Sequence, residues 1–294
     1  MTYFISLFKV VKPGILFSNG LTFVMGFFVA YKSYGGDFSL SLFIYSLFGV
    51  LLTIASSTAI NNFIDQDIDK VMKRTANRVS VSQILKPTHI VIYSSILLIL
   101  GFCILIFLVN IKAAIIVGIG FFVYIVLYTC YLKRKSTFST LVGSISGGCV
   151  SMAGYVSNCN TIDLGAWLVF AILFVWQMPH FFAIGIYRLN DYKMANIPIL
   201  PVADSIEKTK VHIVAWILVL IPIVICIYLF NYGDKIYLVS SLFISICWIY
   251  ITLKGFNSTE PTLWAKKVFL FSILVICVFS ASLILDSILT NIKV

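Results

Sequence analysis

The stretch NNFIDQDIDKVMKRTANR, residues 61–78, lies between two long apolar segments of the chain. Asn61, Asp65 and Asp69 follow one another at four-residue intervals, which places the three side chains on one face of a helix. Asp67 lies between them and points elsewhere on the same helix. Carboxylate and carboxamide oxygens are the hard ligands that Mg²⁺ prefers, so this face predicts a magnesium site at a membrane boundary.

Basic side chains follow the aspartates directly. Lys70, Lys73, Arg74 and Arg78 suit the oxygens of a diphosphate, and the two arginines form another i, i+4 pair. Acids and bases together predict a site for an anionic phosphate substrate carried with a metal ion. The alternative is an ordinary solvated helix end, but a charge beside the bilayer core costs ~2.5–3.5 kcal/mol, which favours a functional site.

The composition is that of a membrane protein. Of the 294 residues, 61% are hydrophobic and 11% are charged, whereas a soluble domain has about 25% charged residues. The N-terminal residues MTYFISLFKVVKPG contain no small-residue cleavage site, so we expect no removable signal peptide. We predict an all-α, polytopic membrane protein, a single domain over residues 1–294. Its nine transmembrane helices are expected at about 14–33, 41–61, 90–109, 113–132, 139–157, 164–186, 212–232, 235–253 and 268–287.

The distribution of basic residues predicts the orientation of these helices. With the N-terminus in the cytoplasm, the cytoplasmic segments contain all but four of the 21 lysine and arginine residues. The net charge of +10 therefore reflects membrane topology and does not indicate a nucleic-acid partner. The longer cytoplasmic loops, 62–89 and 187–211, follow the second and sixth spans, and the C-terminus lies on the opposite side. The four basic residues outside the cytoplasmic segments are Lys32, Lys112, Lys235 and Lys293.

Two further polar groups lie near the ends of even-numbered spans. Lys133 and Arg134 end the fourth span, where topology alone would explain them, but they would face the same cavity mouth as Asp65 if the even helices converge. In the sixth span, Pro179 removes a helix hydrogen bond and predicts a kink. Polar groups around a kink favour a cavity lining over simple hydrogen bonding between helices; here they are Gln177 and His180.

These motifs together resemble those of the UbiA-type intramembrane prenyltransferases. NxxxDxDxDxxMxRTxxR, at 61–78, is similar to the first aspartate-rich motif of that family. Four other motifs resemble the branch of the family that modifies haem, and they run in order along nearly the whole chain: KPG at 12–14, YLKR at 131–134, WQMPH at 176–180 and DYKMANIPILPV at 191–202.

The resemblance implies nine helices around a central cavity that opens to the membrane and the cytoplasm. It implies transfer of the farnesyl group of farnesyl diphosphate to the 2-vinyl group of haem b, with addition of water, in a bacterial cytoplasmic membrane. A haem–copper terminal oxidase or a haem A synthase would then receive the product.

The resemblance also implies roles for particular residues. A magnesium ion that bridges the diphosphate would be held by Asn61, Asp65 and Asp69, with Asp191 contributing from the second loop. The charge of the diphosphate would be balanced by Lys73, Arg74, Arg78, Lys133 and Arg134. His180 is the candidate porphyrin contact, as an iron ligand or a propionate partner, and the other candidate haem contacts are Gln177 and Tyr187.

The second loop departs from the wider family. Many members have DxxxD there, whereas residues 187–191 read YRLND, so Tyr187 stands where the first aspartate would be. The sequence therefore leaves open whether a second metal ion binds.

Three other functions are weighed against this one. A quinone-precursor aromatic prenyltransferase would share the metal site, but WQMPH and DYKMANIP favour the haem branch. A divalent-cation transporter needs polar positions through the middle of the membrane, whereas Asp65, Asp69 and Asp191 all lie at one side. A non-catalytic assembly subunit of an oxidase would not need closely spaced acids and arginines.

Overall fold

The computed structural model describes residues 2–82 and 84–292, so Lys293 lies outside the described residues. A short helix, Thr2–Val10, precedes nine long helices in the described ranges. The long helices are α1 (Pro13–Tyr34), α2 (Leu40–Ile64), α3 (Pro87–Val109), α4 (Ile111–Leu132), α5 (Ser139–Cys159), α6 (Leu164–Tyr187), α7 (Ile206–Leu229), α8 (Lys235–Leu253) and α9 (Pro261–Ile292).

Within the described residues, eight of the nine long helices are both long enough and apolar enough to cross a membrane. The remaining long helix, α5, coincides with the predicted span at 139–157 but is rich in serine and glycine. It packs against α1, α2, α4 and α6 and most of its residues are buried. Its small polar side chains therefore face other helices, where close approach matters more than hydrophobicity.

The seventh span is displaced from its predicted position at 212–232. The helix begins earlier because the Ser205 hydroxyl accepts a hydrogen bond from the Lys208 backbone N–H at 3.2 Å and caps the helix. It ends at Leu229, shortly before Asn231, whose φ of 62° is in the left-handed region.

Helices α1 and α5 make backbone contact near their middles. A Cβ atom added to Gly26 would lie 2.0 Å from the Ser151 carbonyl oxygen, and one added to Gly154 would lie 2.1 Å from the Phe23 carbonyl oxygen. Only glycine permits this approach. Because α1 also packs against α9, the first, fifth and ninth helices form one continuous contact through the bundle.

Two short segments cover the end of the bundle where α2 and α6 finish. The first is the short helix Gln66–Val71, and the second contains Leu189–Met194 and Leu200–Ala203. Ile68 and Ile197 pack together in a small apolar cluster, which joins the two segments. The loops at 62–89 and 187–211 are thus brought together, as their position after even-numbered spans predicts.

Candidate active site

A cavity of about 790 Å³ lies between the helices and reaches the end covered by these two segments. Its volume is in the upper part of the range for ligand-binding pockets. Charged residues line it near the loops, and apolar and aromatic residues line it further into the bundle. Among the lining residues are Lys12, Asn61, Asp69, Arg74, Arg78, Lys133, Tyr124, Tyr128, Gln177, His180, Tyr187 and Arg188.

Asp65 is at the junction of α2 and the short helix that follows. It is fully buried and behind the cavity wall, and it pairs with Lys133 of α4. Asn61 Nδ2 donates to Asp65 Oδ2 at 2.7 Å, and Arg134 approaches Asp65 Oδ1 at 3.9 Å. Asp65 Oδ1 itself has no hydrogen bond, although it is buried. This carboxylate oxygen is therefore available to a cation.

Lys12, the first residue of the KPG motif, lies in the site although no role was predicted for it. It precedes α1, and its Nζ donates to Asn61 Oδ1 at 2.6 Å. Burial, together with the nearby charges of Arg78 and Lys133, lowers the pKa of Lys12 to about 7. The KPG motif marks the start of α1, and this position beside a helix terminus was the available signal.

Asp69 and Arg78 form the second ion pair of the cavity wall. Arg78 donates to Asp69 Oδ2 at 2.6 Å and to Asn62 Oδ1 at 3.3 Å. The turn between them is closed by the Thr75 hydroxyl, which donates to the Asp69 carbonyl oxygen at 3.1 Å. Asp69 and Asp65 thus have separate basic partners, and of the two only Asp69 lines the cavity.

The remaining predicted diphosphate residues differ in position. Arg74 and its neighbour Lys73 are both exposed, but only Arg74 of the two lines the cavity. Arg134 donates to both carboxylate oxygens of Asp67, at 2.6 and 2.7 Å, on the outer rim. This contact lowers the pKa of the Asp67 carboxyl. The structure therefore brings Arg74, Arg78 and Lys133 to the cavity and leaves Lys73 and Arg134 outside it.

Asp191 lies in the short helix Leu189–Met194 and is buried. Its carboxylate has no hydrogen-bond or ion-pair partner in the described part of the chain, and it does not line the cavity, whereas the next residue, Tyr192, does. Its predicted metal role stays a prediction.

The oxygen ligands that the protein offers fit a metal ion whose coordination is completed by a bound substrate. In residues 2–82 and 84–292, no three histidine, cysteine, aspartate or glutamate side chains lie close enough to share a metal ion. Mg²⁺ is commonly held by one or two carboxylates together with substrate phosphates. Asp65 has one oxygen without a hydrogen bond, and Asp69 lines the cavity, so these two carboxylates with a substrate phosphate match that arrangement better than a closed protein cage.

The three predicted haem contacts, Gln177, His180 and Tyr187, all line the cavity. Gln177 Nε2 donates to the Leu173 carbonyl oxygen at 3.1 Å, and its amide lies directly against Gly147, where an added Cβ would be 2.2 Å away. Tyr187 carries the Arg188 guanidinium over its ring at 4.2 Å. His180 Nδ1 is 2.7 Å from Ser272 Oγ of α9, a contact that no local pattern in the sequence indicated.

Comparison with known proteins agrees with this architecture. The model of the UbiA prenyltransferase family matches residues 20–274. The chain belongs to this family.

Among curated proteins, the chain is similar to the protoheme IX farnesyltransferase of Yersinia pseudotuberculosis serotype O:1b, with 41% identity over 95% of this chain and 93% of that protein. Among solved structures, it is similar to digeranylgeranylglyceryl phosphate synthase (TM-score 0.80, 18% identity, 98% of this chain and 99% of that one). It is also similar to a UbiA homologue from Archaeoglobus fulgidus bound to GPP and Mg²⁺ (TM-score 0.65, 15% identity, 95% and 99%).

Family membership confirms the predicted all-helical membrane fold and the enzyme class. The protein is a prenyltransferase of the membrane, so the transporter and the non-catalytic assembly subunit are set aside. The homologue from Archaeoglobus fulgidus holds Mg²⁺ together with GPP.

Proposed function

We propose that the protein transfers the farnesyl group of farnesyl diphosphate to the 2-vinyl group of haem b and, with water, gives haem O and diphosphate. The observation that carries this proposal is the 41% identity, over almost the full length of both chains, to a protoheme IX farnesyltransferase. A cavity with a basic mouth and an aromatic interior supports it, because the two substrates are a diphosphate ester and a large flat porphyrin.

The proposed diphosphate site is the mouth of the cavity. Lys12, Arg74, Arg78 and Lys133 would balance the charge of the leaving group, since basic donors in a low-dielectric site stabilise charge as it develops. Mg²⁺, when bound, would neutralise further charge on the diphosphate. The residues proposed to hold it are Asn61, Asp65 and Asp69, with Asp191 from the second loop.

The proposed reaction balances as one substitution and one hydration. The bond between farnesyl C1 and the diphosphate oxygen breaks, and C1 bonds to the terminal carbon of the vinyl group. Water then adds to the inner vinyl carbon and loses a proton. Tyr124 and Tyr128 have ring centroids 5.7 Å apart in the cavity wall, and such rings shield an allylic cation through cation–π attraction while excluding water.

The proposed location is the bacterial cytoplasmic membrane, with the N-terminus and the charged mouth on the cytoplasmic side. The bias of basic residues toward the loops that cover the mouth supports this orientation. The product would pass to a haem–copper terminal oxidase or a haem A synthase.

The test is an assay of purified protein in detergent with haem b, Mg²⁺ and farnesyl diphosphate, followed by mass spectrometry of the extracted haem. We expect a mass gain equal to one farnesyl group plus one hydroxyl group, since the added water loses a proton. Prenylation of 4-hydroxybenzoate, with haem b unchanged, would contradict the proposed acceptor and favour the quinone-precursor enzyme.

A further inference from the structure

Ser272 of α9 contacts two residues of the WQMPH motif in α6. Its hydroxyl oxygen lies 2.7 Å from His180 Nδ1, and its carbonyl oxygen accepts a hydrogen bond from Trp176 Nε1 at 2.9 Å. Ser272 is fully buried, so water does not compete for either contact. Ser272 of the ninth helix thus holds the rings of Trp176 and His180 in the sixth helix.

The hydrogen bonds of Ser272 favour one tautomer of His180. The Ser272 hydroxyl donates to the Phe269 carbonyl oxygen at 2.6 Å. A hydroxyl has one proton, so toward His180 the same oxygen acts as an acceptor and Nδ1 is the donor. A neutral imidazole has one N–H, which leaves the lone pair on Nε2.

The ring of His180 is fixed on the cavity wall. It stacks on Trp176 with ring centroids 4.8 Å apart and an interplanar angle of 28°, and the Phe269 ring is 5.1 Å away. His180 lines the cavity, and its Nε2 has no hydrogen bond to the described part of the chain. A charged imidazolium is costly among apolar helices, so the neutral form is favoured.

We infer that Ser272 is a positioning residue, which holds His180 so that Nε2 is available to ligate the iron of a haem substrate. This inference rests on the proposed function, because it concerns how that substrate is held. A histidine that ligates a metal through one nitrogen ordinarily donates its other N–H to a neighbouring acceptor, and Ser272 supplies that acceptor. A propionate partner would need an N–H at Nε2, which this tautomer lacks.

The first test is the resonance Raman spectrum of the wild-type protein with ferrous haem b. We expect an iron–histidine stretching band that disappears in His180→Ala. Ser272→Ala should move the band to lower frequency, because the imidazole loses the acceptor that makes it a stronger ligand. Ser272→Thr, which keeps the hydroxyl, should leave it close to the wild-type position.

The second test compares affinities for haem b and for iron-free protoporphyrin IX. Loss of such a supporting contact costs roughly 10–100-fold in metal affinity, so Ser272→Ala should weaken haem b binding by about this factor and leave protoporphyrin IX binding unchanged. Ser280→Ala is the matched control, since Ser280 is also fully buried in α9 but contacts Met25 Sδ instead of the cavity.

Three results would overturn the inference: no iron–histidine band in wild-type protein that binds haem b, an unaltered band and haem b affinity in Ser272→Ala, or an equal loss of affinity for both porphyrins. The wild-type spectrum keeps the inference testable even if a variant fails to fold. Failure of the proposed function would be distinct, because wild-type protein would then not farnesylate haem b.

Discussion

Lys133, at the end of α4, forms an ion pair with Asp65, at the end of α2, although 68 residues separate them in the chain. Asp65 is fully buried, so each charge depends on the other for compensation. The pair also brings together the ends of two helices at the mouth of the cavity. The acidic motif and the YLKR motif are therefore parts of one site.

Asp65→Ala should reduce turnover by about 10²–10³-fold or more, because it removes a proposed metal ligand and the partner of Lys133. Membrane insertion should be retained, since the apolar spans are unchanged. Farnesylation of haem b in detergent is the measurement. Asp67→Ala is the control: its side chain is 65% exposed and pairs with Arg134 on the rim, so it should lose little activity. Wild-type turnover in Asp65→Ala would remove the argument for a metal site.

Arg74→Ala should raise the KM for farnesyl diphosphate by roughly 10–100-fold, since a hydrogen bond to a charged group contributes about 1.5–3 kcal/mol. Lys73→Ala is its matched control, because this adjacent cation is likewise exposed but lies outside the cavity lining. We expect its KM to stay near the wild-type value. Equal effects of the two substitutions would indicate general electrostatic attraction instead of a defined contact.

Removal of divalent metal by EDTA should abolish turnover, and added Mg²⁺ should restore it. Because the described residues offer no group of three acidic, histidine or cysteine side chains for one ion, Mg²⁺ should bind weakly alone and more tightly with a diphosphate present. Isothermal titration calorimetry with Mg²⁺, with and without inorganic diphosphate, measures this coupling. Tight binding of Mg²⁺ alone would mean that the protein supplies a closed site.

Gly154→Ala should destabilise the bundle by about 1–3 kcal/mol, since the new methyl group would meet the Phe23 carbonyl oxygen and force α1 and α5 apart. The measurement is thermal unfolding in detergent, monitored by circular dichroism. Gly118→Ala in α4 is the control, because an added Cβ there would lie 3.6 Å from Phe102, an ordinary contact. A Gly154→Ala melting temperature no lower than that of the control would contradict the close packing.

The helices were predictable because each long apolar segment is a local signal of span length. Asn61, Asp65 and Asp69 were likewise found from local spacing. The i, i+4 pattern nevertheless overstated their equivalence: Asp65 ends α2 and lies behind the wall, whereas Asp69 belongs to the next short helix and lines the cavity.

The contacts between distant segments were not predictable from local pattern. Lys12 and Asn61 are 49 residues apart, and His180 and Ser272 are 92 apart. A lysine before a helix and a serine within an apolar span are both ordinary features in isolation. Only the packing of α1 and α9 against the other helices gives these two residues partners.

The contact of α1 with α5 and α9 has a consequence for how the site is made in the cell. A nascent chain delivers its spans to the membrane in order, so the first helix enters before either of its main partners has been synthesised. Lys12 can reach its position beside Asn61 early, but the Ser272 contact with His180 forms only after the ninth helix has arrived. The acidic end of the cavity can therefore assemble well before its histidine wall, and a chain that stops short of α9 would be left with an incomplete pocket.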